Sequence, residues 1–116
     1  MAQSILEDTK KLLNVPSEHT VFDQDIKIHI NTALATLHQL GVGPPEGFEV
    51  VDSTAEWSEF ISGIPLNSVK SYVYARVRLL FDPPATSFGI TAIENQIKEL
   101  EWRLQVVATP IEPTEI

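Results

Sequence analysis

Three histidines, His19, His29 and His38, are the only side chains here whose ordinary pKa lies near neutrality, so acid–base chemistry would start with them. His29 falls on the apolar face of a helix that begins near Asp23. His38, nine residues on, falls about 180° away around the same helix, so the two cannot share a metal within one subunit. His19 sits in a loop. Asp25 lies four residues before His29, a spacing that most often means a satisfied boundary histidine. Asp23-Gln24-Asp25 resembles the start of a calcium loop but lacks the glycine and the closing glutamate. Gly41-Val42-Gly43-Pro44-Pro45 is glycine-rich, yet its prolines remove the N–H groups that would cradle a phosphate. No dinucleotide fingerprint, Walker lysine, nucleophile elbow or zincin motif occurs. With no cysteine, thiolate ligands and nucleophiles are also gone. No catalytic, cofactor-binding or metal-binding residue is expected.

Two charges carry more information. Arg76 falls inside an apolar stripe, between Val73 and Leu80, and Glu101 falls inside another, beside Ile97 and Leu104. A charge on a core-facing stripe is costly unless it is paired. Either the two pair between packed helices, or they reach a neighbouring subunit. Trp102 projects away from the second stripe, with Val106 on its side. It either packs on the first helix or the Trp57 segment, or anchors a protein–protein contact, where aromatics and arginine are enriched.

Four helical segments position these residues. The first covers 4–13, opened by a capping box of Ser4 and Glu7 and closed before Pro16. The second covers 23–40, with Asp23 as N-cap, Ile26, Ile30, Ala33, Leu37 and Leu40 on one face, and Gly41 as its left-handed stop. The third starts near residue 67 or 68 and ends at Phe81, because Asp82 precedes Pro83-Pro84; its stripe is Val69, Val73, Val77 and Leu80. The fourth starts at Thr91, where Glu94 completes a second capping box, and Ile93, Ile97, Leu100, Leu104 and Val107 make its seam. Between the second and third helices, 48–51 reads as a short strand or a loop. Residues 54–61 read as a helical turn burying Trp57, Phe60 and Ile61. Residues 108–116 carry two prolines and no helical pattern, so an extended tail is expected after a helical domain at 1–107.

The length of 116 residues suits one domain, and 43% hydrophobic residues can fill its core. Sixteen acids against eight bases give a formal charge of −8, which opposes sequence-independent binding to nucleic acid or anionic membrane. No apolar run is long enough to span a bilayer, and the first residues lack the pattern of a signal peptide. Between Ile28 and Val69 there is no Lys or Arg, while Glu46, Glu49, Asp52, Glu56 and Glu59 all lie there. One edge of the molecule is expected to be strongly negative.

The run Val69-Lys70-Ser71-Tyr72-Val73-Tyr74-Ala75-Arg76-Val77-Arg78-Leu79-Leu80-Phe81-Asp82-Pro83-Pro84, followed after a linker by Glu99-Leu100-Glu101-Trp102-Arg103-Leu104, resembles the head–tail connector, or adaptor, proteins of long-tailed bacteriophages and prophages. Gly41 after its helix, and the 54–60 segment around Trp57, fit the same pattern, so the resemblance covers about residues 5–107. It implies a mainly α fold: a small antiparallel bundle of about four helices, with a long loop or short β-hairpin after the second. It implies a structural virion protein, assembled in the bacterial cytoplasm, that forms a ring, commonly of twelve, under the portal. The ring extends the DNA channel and offers a platform to the next neck or tail-completion protein. No cofactor, membrane or active site is implied.

Placed in that frame, Tyr74, Arg76, Arg78, Trp102 and Val106 are candidates for the subunit interface. The acids Glu46, Glu49, Asp52, Glu56 and Glu59 are candidates for the channel or its rim, where they would repel phosphate. Thr109, Pro110, Ile111, Pro113 and Ile116 are candidates for a portal-docking arm. Two other readings are another phage neck or tail-completion protein, and an acidic DNA mimic. The second leaves Asp82-Pro83-Pro84 and Glu101-Trp102-Arg103-Leu104 unexplained.

Overall fold

The computed structural model describes residues 4–61, 63 and 65–108, the last two by backbone only. Among the described residues five helices follow in order: α1 (Ile5–Leu12), α2 (Asp23–Gln39), α3 (Trp57–Phe60), α4 (Leu66–Phe81) and α5 (Ser87–Ala108). α4 is the hub, packed against α1, α2 and α5. Tyr72 of α4 meets Glu101 of α5, whereas Leu80 borders the same groove as Glu94, so these two helices run antiparallel.

The first helix is half of what its capping box promises. Ser4 Oγ accepts the Glu7 N–H at 3.1 Å, but the Glu7 carboxylate takes the Ser17 hydroxyl at 2.7 Å instead of returning to Ser4. Ser4 is engaged elsewhere, in an isolated antiparallel bridge with Glu56. The helix ends before Pro16 can act. Asn14 takes the left-handed conformation at φ 62°, and Val15 N–H and Asn14 N–H bond back to Lys10 and Lys11 carbonyls at 2.8 and 3.1 Å.

α2 is covered along the expected face: Ile26, Ile30, Ala33 and Leu37 are buried, joined by Leu34, with Leu40 half-buried. Its stop is as expected. Gly41 sits at φ 87°, and Val42, itself buried, donates to the Leu37 carbonyl at 2.8 Å. Its start is not. Asp23 is the first helical residue, not the cap, and its carboxylate is drawn away to Lys10 Nζ at 2.8 Å. Lys10 is 1% exposed and also donates to the Ser17 carbonyl at 3.1 Å. A buried ammonium needs such partners, so the pair locks the α1–α2 corner.

No strand or hairpin forms at 48–51 among the described residues. A side chain takes the place of a neighbouring strand. Asn31 on α2 donates to the Val50 carbonyl at 3.0 Å and accepts the Val50 N–H at 2.7 Å, which satisfies both backbone groups of a buried residue. Lys27 Nζ holds the next carbonyl, that of Val51, at 3.0 Å. The following turn is helical as expected, with Trp57 and Phe60 buried and Ile61 half-buried. Phe60 lies so close to Gly43 that a Cβ there would fall 2.5 Å from the ring, and Gly43 is at φ 95°; both demand glycine.

α4 buries Val69, Val73 and Val77 as expected, and Tyr72 and Ala75 besides, because it is flanked on two sides by α2 and α5. Leu80 departs from its stripe. It is 55% exposed where the α4–α5 interface opens into a groove of about 390 Å³ shared with Arg76, Leu79, Ile97 and Lys98. α5 starts a turn earlier than Thr91. Thr86 caps it, accepting the Gly89 N–H at 3.1 Å, while Thr91 and Glu94 lie inside the helix and form no capping box. Gly89 permits this early start, since a Cβ would come within 2.8 Å of Pro84. Ile97 and Leu104 are buried, Ile93 and Leu100 half-buried. Ala108, expected in the tail, still belongs to α5, and residues 109–116 lie outside the described residues.

Candidate functional site

The histidines stay apart. His19 and His38 are exposed, and His38 Nε2 lies 2.9 Å from the Pro45 carbonyl oxygen. His29 is half-buried rather than on the covered face. Among the described residues, no group of three or more His, Cys, Asp or Glu is placed to hold a metal.

Arg76 and Glu101 meet within the chain. Arg76 Nη1 is 3.4 Å from Glu101 Oε2, and Tyr72 completes the cluster. Its hydroxyl donates to Glu101 Oε2 at 2.6 Å and accepts from Arg76 Nη1 at 2.9 Å. Burial, then the hydrogen bond to the Glu101 carboxylate, pushes the Tyr72 phenol well above its ordinary range, so it stays a donor. Three polar groups on two apolar stripes thereby satisfy one another, and α5 is fixed in register on α4. The tyrosine is the member that stripe arithmetic overlooks; its spacing of four from Arg76 is the signal that would find it.

The remaining interface candidates face outward to different degrees. Tyr74 and Arg78 are half-buried and joined at 3.3 Å, the guanidinium donating to the phenol oxygen. Trp102 is 65% and Val106 52% exposed, so Trp102 packs on neither α1 nor the Trp57 turn. Among the described residues Phe88, at 86%, is the most exposed large apolar side chain, and it stands fourteen residues before Trp102.

Of the acids, Glu46, Glu49, Asp52 and Glu59 are exposed, and Glu56 is half-buried as the cap of α3. Glu59 accepts the Glu56 N–H at 2.8 Å, closing a true capping box. Asp52 accepts from the Thr54 hydroxyl and N–H, which holds its carboxyl below the usual value. The candidate arm residues Thr109, Pro110, Ile111, Pro113 and Ile116 lie outside the described residues.

A bare aromatic flank on a helical bundle suits a protein that works by contact. The family model for phage connector protein matches residues 5–110, nearly the whole chain. The chain belongs to the phage connector protein family. Neither the curated proteins nor the solved structures gave a match. A phage connector is a structural component of the particle, which points to the virion as its place and to other head or tail proteins as its neighbours. No helix among the described residues is long and apolar enough to cross a membrane.

Proposed function

We propose that this connector forms a ring under the portal, commonly of twelve copies, and extends the DNA channel toward the next neck or tail-completion protein. The observation that carries the reading is the outer flank of α5: Phe88, Trp102 and Val106 are large, apolar and bare in a protein whose family assembles particles. A ring requires head-to-tail contacts that close, and side chains off the core seam supply them: Trp102 and Val106, with Tyr74 and Arg78 behind. Arg76, bound to Tyr72 and Glu101, serves that surface by fixing α5.

The acids Glu46, Glu49, Asp52, Glu56 and Glu59 line or rim the channel. Their charge repels phosphate, so DNA slides through during ejection. Residues 109–116 dock on the portal as an extended arm. Assembly takes place in the host cytoplasm. Negative-stain imaging of the chain mixed with its portal tests the reading: a ring with a hole wide enough for duplex DNA supports it, and a chain that never associates rejects it. Removing residues 109–116 leaves the helical bundle folded and abolishes portal docking; unchanged docking removes the arm from the scheme.

A further inference from the structure

α5 carries two stripes, and α4 uses one of them. Ile93, Ile97, Leu100 and Leu104 lie toward α4. On the far side, Phe88, Asn95 and Trp102 recur every seven residues, and Ala92, Glu99 and Val106 follow each by four. At about 100° per residue this second set lies roughly 150° from the first. All six are exposed. A seven-residue repeat is the spacing by which one helix receives another along its length.

The second stripe is complementary to itself when reversed. Laying another α5 antiparallel, in the register that sets Asn95 against Glu99, also sets small Ala92 against Trp102 and Phe88 against Val106. The Asn95 amide has donors for the opposing carboxylate. On one flank the same register sets the two Lys98 side chains on either side of the two-fold axis, each offset by Glu94 four residues back on its own helix. The opposite flank tolerates the approach, since Arg103 already holds Glu99 at 2.7 Å.

We propose that two copies of this chain pair antiparallel along this stripe of α5 and close a two-fold dimer. The contact is isologous, so it stops at two. Its purpose, and only its purpose, rests on the ring reading above: the dimer covers Trp102 and Val106 until a component of the growing particle displaces the second copy.

Sedimentation of the full chain from low micromolar to near-millimolar concentration is the test, with circular dichroism to confirm that each variant is folded. A concentration-dependent dimer is expected. Trp102→Ala weakens it roughly tenfold or more. Ala92→Arg abolishes it. Because the chain has no cysteine, Asn95→Cys and Glu99→Cys variants can be mixed and oxidised, and links between unlike variants are expected to dominate. A monomer throughout, a dimer indifferent to Ala92→Arg, or links mainly between like variants overturns the proposal. A dimer that passes these tests while no ring ever forms on a portal unseats the ring reading and leaves this one standing.

Discussion

α2 and α5 are both long helices with apolar seams, and they are treated oppositely by the fold. α2 has 17 residues and buries five of them, and the arm that follows it is tied back onto it through Asn31 and Lys27. α5 has 22 residues, yet only Ile97 and Leu104 are fully covered among its described side chains. Its partner within the bundle is α4, and its other flank shows Phe88, Trp102 and Val106 to solvent. Helical stability in water comes mostly from tertiary packing. α2 therefore belongs to the folding core, and α5 keeps one flank that the described residues leave uncovered.

The largest test of that contrast lies in α2. Leu37→Ala opens a cavity in the core beneath α2 and costs about 3 kcal/mol, read by urea unfolding. A loss below about 1 kcal/mol would mean that α2 is no more anchored than α5. Asn31→Ala comes next. It strands the N–H and carbonyl of buried Val50 and costs about 2 kcal/mol, with faster amide exchange across 48–51. Asn31→Asp keeps an acceptor for the Val50 N–H and loses the donor to its carbonyl, so it falls between alanine and the native residue.

How much of this was legible in the sequence depended on whether neighbours along the chain or across space decide the outcome. The α2 face, the Gly41 stop and the Asp82-Pro83-Pro84 closure are local matters of period and backbone geometry, and all three hold. The Arg76–Glu101 pair was legible because two charges on two apolar stripes leave few other ways to satisfy both. What failed was decided at long range. Asp23 looks like a cap until Lys10 arrives from α1, and 48–51, which reads as strand or loop, is a loop because Asn31 supplies the rung. Thr91 looks like the start of the last helix, but Thr86 caps it earlier and Gly89 lets Pro84 approach. Leu80 has the right period, but the α4–α5 interface has opened by the time the helix reaches it.

A smaller effect sharpens how α5 is held. Tyr72→Phe removes the hydrogen bond to Glu101 and costs about 1 kcal/mol near neutrality, since the carboxylate can turn to water. The pH dependence has a definite sign. Tyr72 in the folded chain keeps its proton above the ordinary value of 10.0, whereas the unfolded chain gives it up there. The stabilisation is therefore complete below pH 10 and drains away as pH rises further, toward the folded-state pKa. Unfolding curves taken on either side of that pH should show a steeper alkaline loss in the native chain than in Tyr72→Phe. Equal slopes would detach Tyr72 from the junction of α4 and α5.

The smallest effect on stability separates the two flanks of α5 most cleanly. Trp102 is the largest side chain on the helix, and in a core its truncation to alanine would cost about 3–5 kcal/mol. At 65% exposure it covers little of its own chain. Trp102→Ala should therefore leave thermal and urea midpoints within about 0.5 kcal/mol of the native chain. Leu104→Ala, two residues on but facing α4, should cost about 2–3 kcal/mol. Surface tryptophans carry no such indifference in assemblies, where buried aromatics dominate the contact energy. A silent Trp102→Ala in the isolated chain, paired with loss of association, would place the residue's worth wholly between molecules. A destabilised monomer would instead make the outer flank of α5 part of the fold and remove the contrast with α2.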